Sequence, residues 1–182
     1  MSIDHRTAFL DRDGTLNVKA PEGTYVTDPD RLRLIPGAAD AVRRLNDAGL
    51  FVVLVTNQRG IARGLLSEDA HAQVMGRLAD GLAASGAHLD AVYVCPHDEG
   101  CCDCRKPAPG LFFRAAREHP EIDFRRAVTV GDSESDIIAG AEAGTATIRI
   151  SDQPVESGAD HVVRDLNAAV SIIVRADERV SR

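Results

Sequence analysis

At 182 residues the chain suits one domain and is long enough to bury a core without disulfide staples. Apolar residues make up 44% of it, which excludes global disorder, and a formal charge of −7 speaks against a nucleic-acid partner, whose phosphates need a basic footprint. The first residues do not read as a secretory leader, and no apolar run approaches the roughly 18 residues of a membrane helix, so a soluble, cytoplasmic monomer without a membrane partner is expected.

Apolar runs rich in Val, Ile and Tyr recur at 7–10, 51–56, 91–95, 127–130, 145–150 and 161–163 and read as strands. Helical patterns lie between them. Pro36-Gly37 precedes Ala38, Ala41, Val42 and Leu45, and Gly49 closes that segment. Ser67 opens a stretch to about Ser85 with Val74, Leu78 and Leu82 on one face. Further helices are expected over Pro109–Pro120, Ser135–Ala143 and Asp165 to about Asp177. Strands alternating with helices of this length indicate βαβ units around a mainly parallel α/β sheet. Residues 17–36 and 96–109 break the alternation and read as loops over the active face. The expected organisation is a single domain over 1–175 with a charged, fraying tail, 176–182.

Four short motifs sit where these strands end. The first is Asp11-Arg12-Asp13-Gly14-Thr15-Leu16-Asn17, in which an apolar run delivers two aspartates into a glycine turn. In open α/β sheets, ligands bind at the carboxyl ends of strands. There one carboxylate can attack or hold a metal while the other moves protons. The second is Thr56-Asn57-Gln58-Arg59-Gly60, a hydroxyl and amide cluster suited to an anion, with Arg59 and Arg63 adding positive charge. The third is Arg105-Lys106-Pro107, just ahead of the helix that Pro109 starts. The fourth is Gly131-Asp132-Ser133-Glu134-Ser135-Asp136, whose acidic residues fall one helical turn apart. Taken singly, each also suits a solvated turn or helix cap.

All four cysteines lie close together, as Cys95, Cys101, Cys102 and Cys104, with His97 among them. Such clustering favours metal or redox chemistry over a disulfide framework. Spacing alone leaves the choice of ligands open, because Cys101 and Cys104 also form a CxxC pair. The remaining histidines, His5, His71, His88, His119 and His161, have no motif around them and read as surface or capping residues.

The string Phe9 to Asn17, together with the other three motifs in this order, resembles the haloacid dehalogenase superfamily of phosphatases, in its bisphosphatase and histidinol-phosphatase branch. The resemblance implies a Rossmann-like three-layer fold with no large cap domain and a zinc-binding loop at 95–107. It assigns Asp11 as nucleophile, Asp13 as acid and base, and Thr56 and Lys106 as catalytic stabilisers of the phosphoryl charge. Asn57, Arg63 and Arg105 would bind substrate. Mg²⁺ would be held by Asp11, by the Asp13 backbone carbonyl and by Asp132, with Asp136 behind. The C-P-H…C-D-C-R-K-P wording selects Cys95, His97, Cys102 and Cys104 for Zn²⁺, leaving Cys101 a free thiol or alternative ligand. The implied substrate is a phosphorylated sugar, heptose 1,7-bisphosphate cut at C7. The alternatives are histidinol phosphate, a nucleic-acid end, or a silent binding module. Ser133 departs from the family pattern, where lysine is common in heptose enzymes.

Overall fold

The six apolar runs all become strands of one sheet. A computed structural model describes residues 5–21 and 23–178. Its strands are β1 (Thr7–Leu10), β2 (Phe51–Asn57), β3 (Ala91–Cys95), β4 (Ala127–Gly131), β5 (Ala146–Ile150) and β6 (His161–Val163). They run parallel in the order β3-β2-β1-β4-β5-β6. The helices are α1 (Ala38–Asp47), α2 (Glu68–Ala83), α3 (Gly110–Glu118), α4 (Glu134–Ala143) and α5 (Leu166–Glu178). The tail expected to fray from Ala176 is helical through Glu178; residues 179–182 lie outside the described residues.

Strand side chains alternate between the two faces of a sheet, so one short strand feeds two cores. Ala8 and Leu10 of β1 pack with Leu54, Val42 of α1, Leu78 of α2 and Val170 of α5. Phe9 points the other way, to Val53, to Phe112 of α3 and to Ala139 of α4. The Phe9 and Phe112 rings lie 4.7 Å apart. Burying a side chain of this size contributes roughly 1.5–3 kcal/mol. Cover on both faces explains why the strands read as continuous apolar runs. The result is the expected three-layer sandwich.

Local chemistry sets the helix ends. The Ser67 hydroxyl accepts the Ala70 N–H at 3.1 Å at the start of α2. Gly144, at φ +92°, closes α4. From β1 the chain winds outward to β2 and β3, then returns to place β4 on the other side of β1. That reversal opens a crevice at the carboxyl ends of β1, β2 and β4. The segments 11–37 and 96–109 flank this end of the sheet, and neither is long enough to form a cap domain.

Candidate active site

Four strand ends converge on one cavity of about 320 Å³. Asp11 directly follows β1, and its N–H donates to the Val130 carbonyl at 3.0 Å, extending the ladder by one rung. Thr56 is the penultimate residue of β2, Asp132 follows β4, and Lys106 comes from the loop after β3. All four line the cavity, as do Asp13, Asn57, Arg59, Arg105 and Asp136. Lys19 and Tyr25 reach it from the 17–36 loop. Gly14 makes the close approach of two strand ends feasible. Its φ of +87° is left-handed, and a Cβ there would meet Asp132 Oδ2 at 2.3 Å.

Lys106 organises the charges. Its Nζ donates to Asp11 Oδ1 at 2.7 Å and to the Val55 carbonyl at 2.7 Å, and lies 2.6 Å from Asp136 Oδ1. All three side chains are almost sealed from solvent. Burial alone would lower the lysine pKa, but the two carboxylates outweigh it and hold the ammonium firmly charged. Burial pushes the Asp11 carboxyl up to about 7, with Asp136 and Asp13 adding repulsion and Lys106 opposing them. Asp136 Oδ2 accepts the Ser133 N–H (3.0 Å) and hydroxyl (2.7 Å), so this carboxylate is fixed from behind.

Asp13 is held differently. Burial would raise its pKa, but the Arg12 guanidinium and hydrogen bonds from Asn17, Arg12 and Gln58 prevail and hold it below the ordinary carboxylate value. Oxygens of Asp11, Asp132 and Asp136 lie within 4.8 Å of one another. An ammonium already answers this charge, since Lys19 Nζ sits 2.7 Å from Asp132 Oδ2. Oxygen-only donors with a demonstrated pull on a cation fit Mg²⁺. The Asp13 carboxylate is not part of this group.

The residues expected to touch substrate divide. Arg105 lines the cavity, and its buried Nη1 has no hydrogen-bond partner among the described residues. Asn57 also lines it, but its amide is taken up by the Lys106 backbone: Nδ2 donates to the carbonyl (2.9 Å) and Oδ1 accepts the N–H (3.1 Å). Asn57 therefore anchors Lys106. Arg63 is turned away, paired with Asp98 at 3.2 Å and absent from the cavity wall. Arg59, from the same turn, lines the cavity while also pairing with Glu99 and, at 3.8 Å, with Asp98. The helix expected just after Lys106 begins only at Gly110, so Lys106 acts through side-chain reach rather than from a helix N-terminus.

Two buried groups were not anticipated. Arg12 is 1% exposed although it stands between two aspartates in a turn. His71, expected at the surface, is buried on α2 because its position shares the inward face with Val74 and Leu78. The only sequence signal was that helical spacing.

The loop after β3 gathers Cys95, His97, Cys102 and Cys104, whose ligand atoms fall within 4.8 Å of one another. Cys95 Sγ lies 3.6 Å from Cys102 Sγ and 3.3 Å from Cys104 Sγ, and His97 Nδ1 lies 3.3 Å from Cys104 Sγ. Burial and the neighbouring thiols push Cys104 up. Cys102 falls to about 7: burial opposes this, but hydrogen bonds from Cys104, Arg105 and Cys95 outweigh it. Three thiols and an imidazole at this spacing fit a closed tetrahedral Zn²⁺ site. Cys101 is exposed and outside the group.

The family model of haloacid dehalogenase-like hydrolases matches residues 2–144. The chain belongs to this family. A curated D-glycero-beta-D-manno-heptose-1,7-bisphosphate 7-phosphatase of Rhodopseudomonas palustris is 39% identical over 173 residues, spanning 90% of this chain and 94% of that protein. Its counterpart from Pasteurella multocida is 43% identical over 145 residues, 76% of this chain and 77% of the other. Among solved structures, D,D-heptose 1,7-bisphosphate phosphatase from B. bronchiseptica, complexed with magnesium and phosphate, superposes with a TM-score of 0.83 at 33% identity, covering 93% of this chain and 98% of that one. As a haloacid dehalogenase-like hydrolase, the chain carries its motifs on the fold their order implied. No helix among the described residues is long and apolar enough to cross a membrane.

Proposed function

We propose that this protein hydrolyses D-glycero-D-manno-heptose 1,7-bisphosphate at its C7 phosphate, with Mg²⁺, through an aspartyl-phosphate. One observation carries the chemistry: Asp11 stands at the end of β1 in a cavity wall, gripped by the buried ammonium of Lys106 at 2.7 Å. Near full-length relatives named for this bisphosphate support the substrate.

In this reading the Asp11 carboxylate attacks phosphorus and the bond to the sugar oxygen breaks. Asp13 gives that oxygen its proton. An arriving phosphate dianion raises the Asp13 pKa from its depressed value, because like charge disfavours the ionised form. Asp13 then takes a proton from water as that water attacks the phosphorus, which frees inorganic phosphate and restores Asp11. Lys106 and the Thr56 hydroxyl are preorganised donors toward the phosphoryl oxygens, the kind of positioning on which phosphoryl transfer depends. Asp11, Asp132 and the Asp13 backbone carbonyl would hold Mg²⁺, with Asp136 behind them; when bound it neutralises charge on the phosphoryl oxygens. Arg59 and Arg105 face the same cavity and suit the anionic remainder of the substrate. Cys95, His97, Cys102 and Cys104 would hold a structural Zn²⁺ that stiffens the loop carrying Arg105 and Lys106. We read residues 1–175 as one catalytic domain, monomeric and cytoplasmic; light scattering checks the monomer.

Phosphate release with Mg²⁺ should show a higher kcat/KM for heptose 1,7-bisphosphate than for histidinol phosphate. Phosphorus NMR should show a product that keeps its 1-phosphate. A preference for histidinol phosphate would overturn the substrate assignment.

A further inference from the structure

Asp13 is gripped by three side chains that the reaction scheme does not use. Arg12 Nη2 donates to both its oxygens, at 2.9 and 2.8 Å. Asn17 Nδ2 donates to Oδ1 at 2.9 Å, and Gln58 Nε2 to Oδ2 at 3.0 Å. The same Gln58 nitrogen lies 3.0 Å from Thr56 Oγ1. Arg12, Asn17 and Gln58 are all 1% exposed or less, whereas the Asp13 side chain keeps 25% exposure and lines the cavity.

Stability alone is a poor account of this cage. Burying a guanidinium against one carboxylate carries a desolvation cost that offsets most of the attraction and returns little net stability. Arg12 Nε, Gln58 Oε1 and Asn17 Oδ1 are buried without a hydrogen-bond partner among the described residues, which adds to the cost. Among the described residues, Arg12 Nη1 finds only the Met75 sulfur, at 3.9 Å. What the cage does achieve is direction: with both oxygens engaged from the buried side, the carboxylate cannot rotate. Proton transfer requires the acid within about 2.6–3.2 Å of its target, and a misplacement near 1 Å costs about a hundredfold.

We propose that Gln58, supported by Arg12 and Asn17, is a positioning residue that sets the Asp13 carboxylate in fixed register with the Thr56 hydroxyl, so that proton donor and phosphoryl clamp meet one substrate phosphate. Gln58 follows β2 and Asp13 follows β1, and these strands pair in register through Leu10 and Leu54. The shared amide nitrogen carries that strand register into the site. The inference rests on the acid–base reading of Asp13.

The test separates steps that need Asp13 from steps that do not. A nitrophenolate leaves phosphorus unassisted, while a sugar alkoxide needs a proton. In the full chain with Mg²⁺, Gln58→Met should lower kcat for the heptose bisphosphate by about thirtyfold or more. Single-turnover release of nitrophenolate from p-nitrophenyl phosphate should stay within about threefold of the parent, because that step needs no acid. Equal losses on both substrates, or no loss on either, would overturn the inference. Asp13→Asn is the control. Were it indifferent to the leaving group, the acid–base reading itself would fall. If Asp13→Asn discriminates and Gln58→Met does not, only the positioning role falls. Should Gln58→Met fail to fold by circular dichroism, Asn17→Ser, which loosens the other oxygen, is read by the same criterion.

Discussion

Asp11 and Asp136 are both largely buried, and one ammonium stands 2.7 and 2.6 Å from them. Remove it, and two buried carboxylates face each other without a cation. Lys106→Met should therefore cost about 3–5 kcal/mol of stability. It should also lower kcat by about 10²–10³-fold through loss of a preorganised charge. Denaturant unfolding and phosphate release measure the two effects. Asp11→Asn behaves differently, because the amide keeps the shape and removes a charge from a pair of repelling carboxylates. It should fold at least as stably as the parent while losing turnover and the aspartyl-phosphate mass. An Asp11→Asn variant with near-parental turnover would refute the nucleophile assignment.

The loop between β3 and α3 behaves as an element although it holds no regular secondary structure. It ties Cys95 at a strand end to Cys102 and Cys104, three and one residues before Arg105. Of this loop only Cys102 and Cys104 pack against a core, at its edge, and the sheet and the rest of both cores are built from the strands and helices, so metal removal should release the loop and leave the fold standing. Cys102→Ser should lower the zinc content of purified protein, measured by elemental analysis, and reduce kcat/KM by about tenfold or more through misplacement of Arg105 and Lys106. Far-ultraviolet circular dichroism should be nearly unchanged. Cys101→Ser should leave zinc and activity alone, because among the described residues Cys101 Sγ hydrogen-bonds only the Glu99 carbonyl, at 3.5 Å, and stands outside the ligand group. The reverse pattern would exchange the two cysteines in the ligand set.

At the scale of the whole molecule, stability is linked to pH through His71. Burial, then the nearby Arg12 charge, depress its pKa below the ordinary 6.5, with Asp13 a smaller opposing influence. The unfolded chain thus binds a proton here at a pH where the folded chain does not. Stability from this site is full above pH 6.5 and declines as pH falls from 6.5 through the depressed folded value. His71→Gln abolishes this titration. Its melting temperature should fall less steeply than the parent's between pH 6.5 and 5, and an unchanged slope would show that His71 does not carry the linkage.

Much of this protein is determined along the chain. Continuous apolar runs and period-3.6 apolar patterns place each strand and helix to within a residue or two, because burial of these short segments depends on local sequence. Asp11, Thr56 and Asp132 are legible because a strand end is where a parallel sheet presents groups to a ligand. What only tertiary structure decides is where long polar side chains go. Only the packing of α2 beneath the β1 turn buries Arg12 on Asp13. Arg59 and Arg63 sit four apart on one turn with equal claims on the cavity; the 96–109 loop brings acids to both, Asp98 to Arg63 and Glu99 and Asp98 to Arg59, and only Arg59 keeps a place on the cavity wall. Lys106 stands 95 positions from the carboxylate it neutralises, and the sheet order puts their strand ends together. Sequence periodicity encodes which face is buried; a flexible charged side chain settles on whichever opposite charge the fold brings within reach.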